Sequence, residues 1–185
     1  MEWLPLVFVC AVVGAWAVWT VRRLAILRNR LHAAWRKLDI ELTRRHELIP
    51  ELVRIVTRYT DHEHVPLEKL TRLRTQAMQT AAPGPLAVIE DELAAVLRQL
   101  LALPGNNHDL RASEAFHQLG KQLVALEEQL ASCQGSYNQA VRDFNSAIAV
   151  LPERAIARLF RLCQAEPYAS EGSHRLVSAG QLPAR

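Results

Sequence analysis

The chain has 185 residues, half of them hydrophobic, with 22 Lys+Arg against 19 Asp+Glu. That length suits one domain with an appendage, and 7 Gly with 6% aromatics argue against a turn-rich β-sandwich or barrel. A net charge of +3 is too small to point to nucleic acid, and Cys10, Cys133 and Cys163 form neither a metal-ligand spacing nor a disulfide framework.

Leu4 to Val21 is a stretch of 18 residues without a charge. As a helix it spans about 27 Å, close to the hydrocarbon thickness of a bilayer. Trp3 stands at one end, Trp16 and Trp19 near the other, where interfacial aromatics belong. Pro5 falls in the first turn, where its missing N–H costs nothing. A cleaved signal peptide would want positive charge before the run, yet only Met1 and Glu2 precede it. A core helix without a polar stripe would need a larger protein around it. Residues 1–21 therefore read as a transmembrane anchor. Arg22, Arg23, Arg28, Arg30, Arg36 and Lys37 all follow it, which puts the N-terminus outside and the rest of the chain in the cytosol.

Beyond the anchor, apolar residues recur at three- and four-residue steps, as helices require. Leu24, Leu27, Leu31, Ala34, Leu38 and Leu42 make a first stripe, which Pro50 is expected to end or kink. A second runs from Leu52 through Val56, Tyr59, Leu67, Leu70 and Leu73 to Ala77, with a distortion expected near His62-Glu63-His64 and Pro66. Ala81-Ala82-Pro83-Gly84-Pro85 breaks the chain. A third stripe joins Leu86, Ile89, Leu93, Val96, Leu100 and Leu103, and Pro104-Gly105 ends it. Ser113 before Glu114 suits the start of a fourth helix. Its stripe is Phe116, Leu119, Leu123, Leu126, Leu130, Cys133, Tyr137, Ala140, Phe144 and Ile148. Pro152 stops it or opens a short helix over Glu153 to Cys163. Residues 22–163 thus read as an antiparallel four-helix bundle, and 164–185, lacking any period, as a disordered tail. The charges divide: Arg22 to Thr80 holds 13 Lys+Arg and 7 Asp+Glu, Ala81 to Leu151 holds 4 and 8.

Several separate motifs carry a resemblance. Leu27-Arg28-Asn29-Arg30, Ala34-Trp35, Asp39-Ile40, Leu42 and Arg45 are similar to the opening of the LemA family. Leu48-Ile49-Pro50-Glu51-Leu52-Val53 resembles its LIPNLV signature, with Tyr59 and His62-Glu63 following at the family's spacing. Asp109-Leu110-Arg111-Ala112, then Tyr137-Asn138-Gln139-Ala140-Val141 and Phe144-Asn145, resemble its later motifs. The chain departs at Asn107-His108 and Gln134, where the family has Tyr-Pro and Arg. The resemblance implies one N-terminal membrane helix and a cytoplasmic helical bundle, and brings no catalytic residue with it.

The residues themselves offer no reaction. In His62-Glu63-His64 the imidazoles stand two apart and point to different sides of a helix, unlike H-E-x-x-H, so a surface role is the better reading than a metal. No phosphate loop, nucleophile elbow or Cys/His pair occurs, and neither cofactor nor metal is expected. Asn138 and Asn145 share a heptad position and, with Tyr137, are expected to join Asp39 and Arg45 in a register-fixing polar network. Arg22, Arg23, Arg28 and Arg30 are expected to meet lipid headgroups, each near-surface cation gaining about 1 kcal/mol from anionic lipid. The function that follows is a non-catalytic, single-pass scaffold at the cell membrane. Its partners would be the bilayer and proteins or copies of itself. The alternative is a ligand-binding or enzymatic bundle with Tyr59, Glu63, Tyr137 and Asn138 around a pocket.

Overall fold

The computed structural model describes residues 3–59, 64–102, 110, 112–150 and 162–168; the side chains of 4–6, 9, 10, 13 and 64 lie outside that description. Four helices occur among the described residues, and no strand: α1 (Trp3–Tyr59), α2 (His64–Gln79), α3 (Pro83–Leu101) and α4 (Glu114–Ala149). The ends of α3 and the start of α4 follow from backbone chemistry. Pro83 opens α3 at a position that needs no N–H donor. At its other end the Ala102 N–H is shared between the Arg98 and Gln99 carbonyls, tightening the last turn. Ser113 precedes α4, its Oγ accepting from the Phe116 N–H at a long 3.4 Å, and Glu114 places negative charge at the helix's positive end.

The expected stop at Pro50 does not occur. α1 runs through it to Tyr59, so the second stripe divides between α1 and α2 around residues 60–63, which lie outside the described residues. The reason is a contact from α2. A proline leaves the carbonyl four residues back without an intrahelical donor, here that of His46. Arg74 of α2 supplies one, its Nε donating to the His46 oxygen at 2.8 Å. The helix passes because a neighbour replaces the missing bond.

The chain divides into two compact units. The first comprises Met1–Arg36 and Gly135–Ala165. In it Leu24 and Leu31 of α1 are buried, as are Tyr137, Val141, Phe144, Ala147 and Ile148 of α4, and Trp35 packs on Tyr137 with ring centroids 5.1 Å apart. The second comprises Lys37–Gln134 and Glu166–Arg185. Its core takes Ile49, Leu52 and Val56 from α1, Leu70 from α2, Leu93, Val96 and Leu100 from α3, and Leu119 and Leu123 from α4. The α4 stripe is buried at Phe116, Leu119, Leu123, Leu126, Leu130, Tyr137, Phe144 and Ile148, while Gln122 and Gln129 off the stripe are exposed. Burying a leucine is worth about 1.5–3 kcal/mol, so these stripes dominate the stability.

Among the described residues, no helix is long and apolar enough to cross a membrane. The expected anchor also draws on residues 4–6, 9, 10 and 13, whose side chains lie outside the description. The short helix expected over Glu153 to Cys163 falls largely on undescribed residues 151–161. The tail expected from Gln164 starts otherwise. Ala165 exchanges two hydrogen bonds with the Asn145 side chain, both 2.8 Å, and Tyr168 is buried. Residues 169–185 lie outside the described residues.

Candidate functional site

The second unit holds a buried polar cluster where its helices meet. Arg45 occupies a core position on α1, in the series Leu38, Leu42, Arg45, Ile49, Leu52. Glu90 occupies the matching kind of position on α3, after Leu86 and before Leu93. Their side chains are 2% and 1% exposed and form an ion pair through Arg45 Nη2 and Glu90 Oε2. Arg45 Nη1 also donates to Glu127 Oε1 of α4 at 2.7 Å. The other Glu90 oxygen, Oε1, lies 2.7 Å from His46 Nε2.

The electrostatics follow from burial opposed by these partners. Burial resists the Arg45 charge, yet Glu90 and Glu127 beside it raise its pKa above the ordinary value. Burial would likewise lift Glu90, but the His46 hydrogen bond and the Arg45 charge hold its carboxyl below the ordinary 4.5. Glu90 is therefore ionised at neutral pH, and His46 donates through Nε2–H. Tyr168, from the segment after α4, lies near enough for burial and then the Glu90 charge to raise its phenol pKa. Arg45 Nε is buried without a hydrogen-bond partner among the described residues.

Three helices each bring a charge: Arg45 from α1, Glu90 from α3 and Glu127 from α4, with Arg45 and Glu90 the buried pair. Replacing such a pair with apolar residues is often neutral or stabilising, whereas removing one partner costs about 3–5 kcal/mol. The arrangement is suited to fixing how α1, α3 and α4 align. Both Glu90 oxygens are engaged, Oε2 by Arg45 and Oε1 by His46.

The expected site residues are placed as follows. Arg45 is in the cluster, with Glu90 and Glu127 as its carboxylate partners. Asp39 is exposed, Tyr137 stacks on Trp35, Asn138 is half-buried, and Asn145 binds the Ala165 backbone. Arg22, Arg23, Arg28 and Arg30 are exposed on α1 in the first unit. Arg22, Arg23 and Arg30 line one cleft and Arg28 another, with Asn29 and His32 beside it. Of the residues named for the alternative pocket, Tyr59 belongs to the second unit, Tyr137 and Asn138 to the first, and Glu63 lies outside the described residues. His62 and the His64 side chain do too, and no group of metal-ligating residues occurs among the described ones.

His46, Arg74, Glu90, Glu127 and Tyr168 were not expected. One had a signal: Glu90, like the expected Arg45, is a charge interrupting an apolar stripe, and the two are of opposite sign on different helices. Arg74 and Tyr168 had none, since their roles depend on tertiary placement.

The LemA family profile matches residues 34–178, most of the chain and all of the cluster. The chain belongs to the LemA family. No curated protein matches it. In this LemA chain Pro50 of the expected Leu48-Ile49-Pro50 signature has a structural counterpart in Arg74, and the Arg45 of the opening motif has one in Glu90.

Proposed function

We propose that this LemA-family protein is a membrane-tethered, non-catalytic scaffold whose Leu4–Val21 segment anchors it, N-terminus outside, with the helical units in the cytoplasm. The observation that carries this reading is apolar exposure at the start of α1. Trp3 is 79% exposed, Phe8 70% and Val7 64%, and Val12, Val18 and Trp19 are also exposed. Exposed large apolar side chains grouped in this way mark contact with lipid or protein. The uncharged sequence from Leu4 to Val21 and the arginines that follow favour lipid. At the junction Arg23 lies 5.5 Å from the Trp19 ring, an interfacial aromatic beside a cation. Arg22, Arg23, Arg28 and Arg30 then face anionic headgroups, while the helical units present surfaces to partner proteins or to further copies. A non-catalytic role is supported by the buried cluster, whose carboxylate is taken up by structural partners.

Cell fractionation tests it. The full chain should stay with membranes through high salt and alkaline washing, and deleting Met1 to Thr20 should release a helical soluble species. A truncated chain that stays bound, or a full chain that washes off, refutes the anchor.

A further inference from the structure

In the first unit, α1 and α4 enclose a cleft of about 810 Å³. One wall is the α1 face carrying Trp19, Arg22, Arg23, Ile26 and Arg30, spaced so that they share one side of the helix. The other is Asp143, Ser146, Ala147 and Val150 of α4, again at three- and four-residue spacing. Its chemistry is mixed in a specific way. Three guanidinium groups stand beside exposed apolar side chains, Ile26, Trp19 and Val150 all being more than half exposed. Asp143 is the cleft's carboxylate, and its Oδ1 accepts from Gln139 at 2.7 Å. Arg22 and Arg30 have no carboxylate within ion-pair distance among the described residues.

We propose that this cleft binds a membrane phospholipid whose headgroup carries two phosphates. The inference rests on the anchor reading and deepens it by naming the lipid. Charge supports it: three arginines and one aspartate leave two positive charges, matching two phosphates. Position supports it as well. Arg22 directly follows the anchor, and Arg30 lies about 12 Å further along the helix axis. Arg22 and Arg23 therefore meet the headgroup first, with Arg30 in the same cleft adding to its positive charge. Arginine forks take two phosphate oxygens at once, which gives selectivity over a zwitterionic headgroup. Ile26, Ala147 and Val150 then cover part of an acyl chain or the glycerol backbone.

The test uses the full-length protein in neutral detergent micelles, with bound lipid counted by native mass spectrometry. Cardiolipin is the two-phosphate probe, phosphatidylglycerol the one-phosphate probe at equal total phosphate, and phosphatidylcholine the zwitterionic one. Cardiolipin adducts should predominate, and Arg22→Gln with Arg30→Gln should lower cardiolipin affinity about ten-fold or more. Arg36→Gln with Arg142→Gln removes the same charge from the same unit outside the cleft, and should change adduct formation little. Equal binding of phosphatidylglycerol per phosphate overturns the proposal, as does an equal loss in the Arg36/Arg142 variant. Fractionation of the same variants separates this from the anchor: release from membranes refutes the anchor, while the micelle titration still reads the cleft.

Discussion

Glu90 sits at a core position, accepts from two helical neighbours and stays ionised because Arg45 and His46 outweigh the effect of burial. Its folded-state pKa lies below the ordinary 4.5, so folding favours the charged form. That contribution is complete above about pH 4.5 and disappears as pH falls through the folded-state value. Glu90→Gln should cost about 3–5 kcal/mol at neutral pH, because Arg45 remains buried with only the outer Glu127 as partner. The gap between wild type and variant should close as pH drops below 4.5, read from denaturant unfolding at several pH values. A gap that stays constant down to pH 3 would mean Glu90 is already protonated in the native state. Glu127, 42% exposed on its side chain, is a weaker partner, and Glu127→Gln should cost about 1 kcal/mol or less. The sequence placed Arg45 among polar network residues but paired it with Tyr137, Asn138 and Asn145 on α4. Heptad position identifies which residues face inward on one helix, and says nothing of which charge a second helix brings opposite.

At the scale of the elements, the helical stripes were legible because burial follows the three- and four-residue period directly. The α4 register is the clearest case, buried at Leu123, Leu126 and Leu130 and exposed at Gln122 and Gln129. Leu126→Ala should cost about 2–5 kcal/mol and Gln129→Ala less than about 0.5 kcal/mol; equal melting temperatures would misplace the stripe. Pro50 was the misleading signal. A local rule ends a helix there, and a long-range bond from Arg74 to the His46 carbonyl overrides it. This makes a coupled prediction. Arg74→Met should cost about 1–3 kcal/mol by leaving a part-buried carbonyl unsatisfied. With Pro50→Ala in place, the restored N–H supplies that carbonyl, and the cost of Arg74→Met should shrink by about 1 kcal/mol or more. Additive effects in the double variant would show that Arg74 does something other than replace the proline's missing donor. The segment after α4 was illegible for a related reason: Asn145 binds Ala165 through its backbone, which no side-chain pattern encodes.

At the scale of the whole molecule, the proposed topology follows from an asymmetry that no single residue carries. Arg22 to Arg45 holds 8 Lys+Arg against two carboxylates, Asp39 and Glu41, and the segment before Leu4 holds no Lys or Arg. Positive flanks remain on the cytoplasmic side of a membrane helix because translocating them is unfavourable. Protease added to intact cells should therefore leave the chain from Arg22 onward uncut, and detergent should expose it to cleavage. The rule also identifies the variant that tests the cause rather than the outcome. Changing Arg22, Arg23, Arg28 and Arg30 to Gln while adding three lysines after Met1 reverses the bias across the anchor. If loop charge sets orientation, part of the population should invert, with α2 and α3 becoming sensitive to external protease. Digestion of the unaltered chain in unbroken cells would refute the orientation outright. A reversed-bias variant that stays fully protected would show that the helical units, folding before insertion, hold the bulk of the chain in the cytoplasm whatever the flanking charge.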